Sequence, residues 1–321
     1  MSVHLVNPRS KGLYHGVILE SGAFADWNAI TMDCAEGTYQ QLLLHTNCDD
    51  LTCLLEKDAL AIKRASERGI AEATAKGCAY APVVDGIELT THPWIALSNG
   101  DVADVPILLG TNSDEGAIFT ALSHDADATQ LNSYWSEVMG YDAATIDILT
   151  DLYVTNKTYD TSFATTYWWA AERAYGDNMM SCPSEYAAQE LGAYLAQGTR
   201  RSSVYFYHFE HLPRVKDVLT RHVCEIPYVF HQKELLGHED DMRMADVLSS
   251  WWANFFATGN PNNGAIGLNK VPYWKDYVVA SDNVLVIETA SAISTTLHLK
   301  QEKCAFFIPY LNDEIRSEYV E

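Results

Sequence analysis

Four short runs of apolar and aromatic residues, separated by longer helical stretches, constrain the fold of this 321-residue chain more than any other feature. The runs lie within residues 16–22, 105–110, 204–209 and 284–287, and their β-branched and aromatic content is typical of strands. Strands that alternate with helices indicate an α/β architecture, a mostly parallel sheet flanked by helices. A parallel sheet needs both faces and most of its edges covered, and four strands are few for this much helix. The pattern therefore favours the second half of a larger sheet.

Three helical stretches between the runs have recognisable ends. Asp142 can cap a helix over residues 143–153, and Ser181, just before Cys182-Pro183, suits the start of another. Apolar residues recur at helical spacing over residues 246–258, and Gly259 follows as a stop signal. This stripe consists of Val247, Leu248, Trp251, Trp252, Phe255 and Phe256.

The charge balance excludes two classes of partner. Asp and Glu number 43 against 21 Lys and Arg, a net charge of −22, and the basic residues form no run. Nucleic acid and anionic membrane surfaces require clustered positive charge, so we expect neither as a partner.

No apolar stretch approaches the roughly 18 residues needed to span a bilayer. No repeat or linker divides the chain, which predicts a single domain over residues 1–321.

Polar segments follow the second and third runs at the points where these strands should end. Residues 110–119 contain Asp114 and Glu115, either of which could orient a histidine at the carboxyl end of the sheet. Residues 221–230 contain His222, which could act as a base near neutral pH. Simpler explanations stay open, because Asp114 can cap the next turn and a loop histidine is commonly solvated.

Five segments, in this order, resemble the type-B carboxylesterase and cholinesterase family of α/β-hydrolases. Residues 5–15 are similar to the helix after the nucleophile, and residues 17–22 are similar to the next strand. Residues 112–116 resemble the catalytic-acid loop, and residues 222–230 resemble the catalytic-histidine loop. Residues 252–262 resemble the C-terminal helix signature. The resemblance implies the C-terminal part of an α/β-hydrolase fold, without its N-terminal strands, as one partial domain.

The resemblance also implies roles for four polar residues. Glu115 is the expected catalytic acid and His222 the expected catalytic histidine, the last two members of a Ser-Glu-His triad. Ser21 and Glu225 are expected as a buried pair behind the triad. The implied substrate is a small-molecule carboxylic ester, and no cofactor or metal is expected. Carboxylesterase, lipase and cholinesterase activities all stay open, as does the oligomeric state.

The nucleophile elbow G-x-S-x-G does not occur in this sequence. The only glycines four positions apart are Gly12 and Gly16, and the central residue between them is Tyr14. The resemblance places the serine and the oxyanion hole upstream of Met1, so we expect this chain alone to be inactive. Two alternatives stay open: a non-catalytic cholinesterase-like binding or adhesion module, and a truncated remnant.

Two positions in the histidine loop depart from the family pattern. Val223 directly follows His222, at a position where the family usually has glycine. His231, at the end of the loop, likewise replaces a residue that is usually glycine. Either change is expected to alter the loop.

The count of seven cysteines alone does not settle the compartment. The resemblance implies disulfides between Cys182 and Cys304 and between Cys48 and Cys53, and these two bridges favour a secretory origin. A signal peptide is not visible at the start of the sequence and is expected upstream of it. Residues 156–158 form the only N-glycosylation triplet, whose occupancy stays open. The resemblance assigns no partner to Cys34, Cys78 and Cys224.

Overall fold

The structure, a computed structural model, describes residues 1–74, 78, 80–212, 219–263 and 272–320. Its strands are β1 (Val17–Glu20), β2 (Ile107–Asn112), β3 (Val204–Phe209), β4 (Asn283–Thr289) and β5 (Ala292–Leu297). Its α-helices are α1 (Ser2–Val6), α2 (Met32–Thr46), α3 (Leu51–Leu55), α4 (Ala59–Thr74), α5 (Pro93–Ser98), α6 (Ala128–Ser133), α7 (Ala143–Tyr153), α8 (Thr166–Gly176), α9 (Cys182–Ala196), α10 (Ile226–Val229), α11 (Glu239–Thr258) and α12 (Gln301–Tyr319).

Internal packing divides the chain into two compact units. The first consists of Met1, Gly12–Ala25 and Ala103–Leu311, and it contains the whole sheet. The second consists of Ser2–Lys11, Asp26–Val102 and Asn312–Glu321. Across the described part of the chain, every helix is too short or too polar to cross a bilayer.

The strands of the first unit lie side by side in the order β1-β2-β3-β4-β5. β1 to β4 are parallel, with Val17 opposite Ile107 and Ile107 opposite Val204, whereas β5 is antiparallel to β4. β2 and β3 are buried along their whole length, as expected for central strands of a parallel sheet. The four predicted strands are therefore confirmed. The sequence does not predict β5, because its residues are largely exposed and form no apolar run.

Helix α11 packs against the central strands of this sheet. Gly110 in β2 makes room for the ring of Tyr207, its partner in β3, because a Cβ atom at this position would overlap that ring. Phe256, which helical spacing assigns to the buried stripe, is instead 73% exposed. The core on this side of the sheet includes Leu108, Tyr205, Tyr207, Phe209, Met244, Leu248, Trp251, Trp252, Phe255, Trp274, Leu285 and Ile287.

Three predicted helices are present, but α9 lacks the predicted cap and α11 begins earlier than predicted. α7 begins as expected, with the Asp142 side chain accepting a hydrogen bond from the backbone N–H of Thr145 at 2.8 Å. Ser181 does not cap α9, because it is itself helical in a π-helical turn that continues from α8. α11 begins at Glu239 rather than near residue 246, and it ends at Gly259 in the left-handed conformation.

The second unit is helical and contains two disulfides. α2 packs against α4, and its N-cap is Thr31, whose hydroxyl accepts a hydrogen bond from the backbone of Cys34. The Cys48–Cys53 bridge joins the loop after α2 to α3. The other bridge joins Cys34 to Cys78, a pairing that the sequence leaves unassigned.

Candidate active site

The acid loop begins where β2 ends. Asn112 is the last residue of that strand, and the 3₁₀ turn Glu115–Ile118 follows almost immediately. The side chain of Glu115 is buried, and its Oε1 accepts hydrogen bonds from the Ser21 hydroxyl at 2.5 Å and from the Asn112 backbone N–H at 2.6 Å. Its Oε2 lies 2.6 Å from Nδ1 of His222. Three donors therefore fix the orientation of one buried carboxylate.

Ser21 reaches Glu115 because it follows β1, the strand beside β2. Its backbone N–H donates to the carbonyl of Gly110 at 2.9 Å, which continues the pairing of the two strands. Its φ of 62° is left-handed, and the φ of Gly22 is 78°, so the chain turns sharply as it leaves the strand. This turn places the hydroxyl of Ser21 against the carboxylate of Glu115.

The histidine loop is joined to the acid loop by backbone pairing. The N–H of Asp114 donates to the carbonyl of Thr220 at 2.9 Å, and the N–H of Thr220 donates to Oδ2 of Asp114 at 2.8 Å. Arg173 on α8 forms an ion pair with Asp114 at 2.6 Å. Asp114 therefore does not cap the next turn, where its side chain makes no capping hydrogen bond. It connects the two loops that carry Glu115 and His222.

Glu225 lies behind this contact, but it does not bond to Ser21. It is buried, and its Oε2 accepts a hydrogen bond from Nδ2 of Asn112 at 2.6 Å. Nδ2 of Asn112 also donates to the carbonyl of Arg221 at 3.0 Å. Burial, together with the nearby charge of Glu115, raises the pKa of Glu225 to about 7. Ser21 and Glu225 thus support the site through different partners, Glu115 and Asn112.

The sequence does not reveal the role of Asn112 or of Glu20, a glutamate that is only partly buried. The available signal for Asn112 was a polar side chain at the end of a fully buried strand. Glu20, at the end of β1, accepts a hydrogen bond from Nε1 of Trp252 at 2.5 Å. Burial raises the pKa of Glu20, and the hydrogen bond from Trp252 opposes this effect. No sequence pattern pairs these two residues.

Nε2, the second ring nitrogen of His222, makes no hydrogen bond within the described residues. Nδ1 faces the Glu115 carboxylate and therefore carries a proton. The hydrogen bond to Glu115 raises the pKa of His222, while partial burial opposes it. The ring of Phe119 lies 5.4 Å from that of His222 and stacks on Tyr175. The arrangement is that of an oriented base beside an apolar wall.

The two departures from the family pattern both fall on left-handed backbone. Val223 has φ 67° and His231 has φ 51°, a region that favours glycine. A β-branched residue such as valine is especially strained there. His231 also forms an ion pair with Asp246 at 2.8 Å, whereas the side chain of Val223 is 54% exposed. The backbone conformation explains why glycine is usual at these positions.

The structure supplies no metal centre among the residues that it describes. No group of three or more His, Cys, Asp or Glu side chains is placed to hold an ion there. His208 contacts Thr111 at 3.2 Å, and His211 contacts Asp241 at 2.9 Å, so these two histidines have separate partners. The site itself presents a carboxylate, an imidazole and their supporting hydrogen bonds.

The first unit also contains the long-range disulfide between Cys182 and Cys304 that the resemblance implies. It joins α9 to α12 across 122 positions. Cys224 belongs to no disulfide, and its sulfur lies 3.9 Å from the carbonyl of Leu219 in the histidine loop.

Known proteins with similar sequences are esterases and related hydrolases. Pyrethroid hydrolase Ces2e from Rattus norvegicus is 29% identical over 298 residues, 85% of this chain and 48% of that protein. Acylcarnitine hydrolase from Mus musculus is 30% identical over 295 residues, 85% of this chain and 49% of its own length. Acetylcholinesterase from Bungarus fasciatus is 25% identical over 335 residues, 97% of this chain and 53% of that enzyme. The chain therefore spans about half the length of these relatives.

The fold and the family are shown by two further matches. The crystal structure of Aspergillus niger EstA superposes with a TM-score of 0.75 at 19% identity, covering 96% of this chain and 61% of that one. This similarity shows an α/β-hydrolase fold. The carboxylesterase family matches residues 1–307 of the sequence. The chain belongs to the carboxylesterase family, whose type-B carboxylesterases and cholinesterases its motifs resemble.

Proposed function

We propose that this chain carries the acid and the histidine of a carboxylic ester hydrolase with a Ser-Glu-His mechanism. The observation that carries the proposal is the 2.6 Å contact between Nδ1 of His222 and Oε2 of Glu115. Membership of the carboxylesterase family supports it. The proposed substrate is a small-molecule carboxylic ester.

In this mechanism Nε2 of His222 takes the proton from a serine hydroxyl as the serine oxygen attacks the ester carbonyl. The same nitrogen then returns the proton to the leaving alcohol. Glu115 holds the ring in the correct tautomer and stabilises the imidazolium that forms. The raised pKa of His222 supports this role, because it reflects stabilisation of the charged ring by Glu115.

The proposed nucleophile lies outside this sequence. No G-x-S-x-G motif occurs in it. Ser21 is a poor substitute, because its hydroxyl donates to Glu115 rather than to Nε2 of His222. We therefore assign the serine and the oxyanion hole to residues beyond the 321 given, and we expect this chain alone to hydrolyse no ester at a useful rate.

Covalent labelling of the polypeptide encoded by the complete native transcript tests this assignment. A fluorophosphonate should form a bond with one serine, and peptide mass mapping should locate that serine outside residues 1–321. Label on Ser21, or on another serine of this chain, would overturn the assignment. Absence of any label would favour a non-catalytic binding module or an inactive remnant.

We also propose that the protein is made in the secretory pathway. Three disulfides join Cys34 to Cys78, Cys48 to Cys53 and Cys182 to Cys304, and disulfides persist mainly in oxidising compartments. Alkylation of the native protein without reduction should therefore leave all six of these cysteines unmodified. Their modification before reduction would argue for a reducing compartment.

A further inference from the structure

The turn after α7 carries the only Asn-x-Ser/Thr triplet of the sequence, Asn156-Lys157-Thr158. The helix ends at Tyr153, and Asn156 adopts a left-handed backbone with φ 57°. The triplet therefore lies outside regular secondary structure, on a segment where the chain changes direction. Such loops are where oligosaccharides are attached in secreted proteins.

The two side chains that define an acceptor site face outward. Asn156 and Thr158 are both exposed, and within the described residues neither side chain makes a hydrogen bond. Lys157 between them is partly buried, with its Nζ 3.8 Å from Oε2 of Glu302. The carboxamide and the hydroxyl are therefore both free to meet an enzyme.

The next residue fixes this turn to the first unit. The hydroxyl of Tyr159 donates to the carbonyl of Tyr153 at 2.8 Å, and its ring stacks on Trp169 with centroids 6.0 Å apart. The triplet therefore lies next to a residue that is packed against the rest of the first unit.

The backbone conformation of the turn explains only one of the two residues that define the triplet. Asparagine tolerates left-handed backbone better than most residues, so the conformation alone accounts for Asn156. It does not account for Thr158, whose exposed hydroxyl contributes no hydrogen bond to the turn. The three disulfides supply an independent observation, because they favour the compartment in which such triplets are modified.

We propose that Asn156 is an N-glycosylation site. The carboxamide nitrogen of Asn156 attacks C1 of an oligosaccharide carried on a polyprenyl diphosphate, and a membrane-bound transferase catalyses the step. The bond from C1 to the diphosphate oxygen breaks, the lipid diphosphate leaves with the electron pair, and the nitrogen loses one proton. Thr158 completes the recognition of the acceptor.

The attached sugar would stand beside a polar cleft rather than at the Glu115–His222 contact. Lys157, Thr158 and Tyr159 contribute to the lining of a cleft of about 630 Å³, and neither Glu115 nor His222 lines it. Loss of the glycan should therefore leave the hydrogen bond between those two residues unchanged. The inference consequently does not rest on the proposed esterase activity.

The test is translation of the full chain, behind a cleavable signal peptide, in the presence of endoplasmic-reticulum microsomes. Protease protection defines the translocated fraction, so every experiment gives a readable band. The wild-type chain should show one upward shift that peptide N-glycosidase removes. N156Q and T158A should lose the shift, whereas T158S, which keeps the acceptor triplet, should retain it.

N132Q is the matched control, because Asn132 is exposed but is followed by Ser133-Tyr134 and forms no triplet. Its shift should equal that of the wild type. A protected wild-type band without the shift would overturn the proposal, as would a shift that persists in T158A. Either result would leave the proposed ester hydrolase function intact.

Discussion

Nδ1 of His222 lies 2.6 Å from Oε2 of Glu115, although the two residues are 107 positions apart in the chain. The contact arises because β2 and β3 are neighbouring parallel strands, with Asn112 opposite Phe209. The loops that follow these two strands therefore begin side by side at the same edge of the sheet. Asp114 and Thr220 then join those loops by one hydrogen bond between their backbones and one from the Thr220 N–H to the Asp114 carboxylate. The chain therefore assembles an acid and a histidine from residues that it contains itself.

Replacing Glu115 by glutamine should lower the pKa of His222. The hydrogen bond to Glu115 is the largest cause of its raised value, and glutamine keeps an acceptor oxygen but removes the charge. We expect the midpoint of the titration to fall, measured by NMR on the ring protons of His222. Glu234→Gln, at an exposed glutamate between α10 and α11, is the matched control. An unchanged midpoint in Glu115→Gln would contradict the assignment.

The contribution of Glu225 to the stability of the chain should fall as the pH rises from about 5 to 7. The unfolded chain releases the proton of Glu225 near its ordinary value of 4.5, whereas the folded chain keeps it until about pH 7. The folded state is therefore favoured below pH 4.5, and this contribution, about 3 kcal/mol at most, is lost as the pH rises through 7. Glu172 and Glu185, whose pKa values burial raises to about 8, act in the same direction.

Glu225→Gln should reduce this pH dependence, because its side chain cannot titrate but can still accept the hydrogen bond from Asn112. The measurement is the free energy of unfolding by urea at pH 5, 6, 7 and 8, compared with wild type and with Glu234→Gln. Equal slopes in Glu225→Gln and wild type would show that Glu225 does not carry a raised pKa.

Val223→Gly should stabilise the chain. The left-handed conformation at φ 67° costs a β-branched residue about 1–3 kcal/mol, part of which glycine regains before its own entropy loss. We expect a net gain of about 1 kcal/mol, measured by urea denaturation. Val223→Asn, which tolerates the same backbone, should gain less, and Val223→Ala less again. A loss of stability in Val223→Gly would mean that the side chain makes a favourable contact.

The disulfide between Cys182 and Cys304 should contribute more stability than the one between Cys48 and Cys53. The first closes a loop of 122 positions and the second a loop of 5. Loop entropy then predicts losses of about 5 and about 2 kcal/mol when each pair is changed to alanine. Urea denaturation of the two double variants measures this, with Cys224→Ala as the control outside any disulfide. Equal losses would show that loop closure does not dominate.

Local patterns predicted the elements whose stability is local or whose strands are fully buried. The run at residues 204–209 coincides with β3, because a central parallel strand is apolar on both faces. The capping of α7 by Asp142 depends only on residues within one helical turn. The start of α11 was missed despite its signal, the acidic residues Glu239, Asp240 and Asp241 in the first turn.

Features that depend on distant residues could not be predicted from such patterns. β5 forms because it pairs with β4, although its own residues are mostly exposed. The pairing of Asp114 with Thr220 and the bond from Asn112 to Glu225 arise only after the sheet has brought two loops together. The Cys34–Cys78 bridge, across 44 positions, likewise has no local signature. The positions of Glu115 and His222 followed from family motifs, whereas their supporting contacts required the structure.

Ester hydrolysis by the polypeptide encoded by the complete native transcript tests the proposed role of His222. p-Nitrophenyl butyrate turnover would be compared in the wild type and His222→Gln, with Glu234→Gln as the control. We expect turnover that an organophosphate abolishes, and a loss in His222→Gln on the order of 10⁴–10⁶ in kcat. An inactive wild-type protein, or a His222→Gln variant with undiminished turnover, would contradict that role.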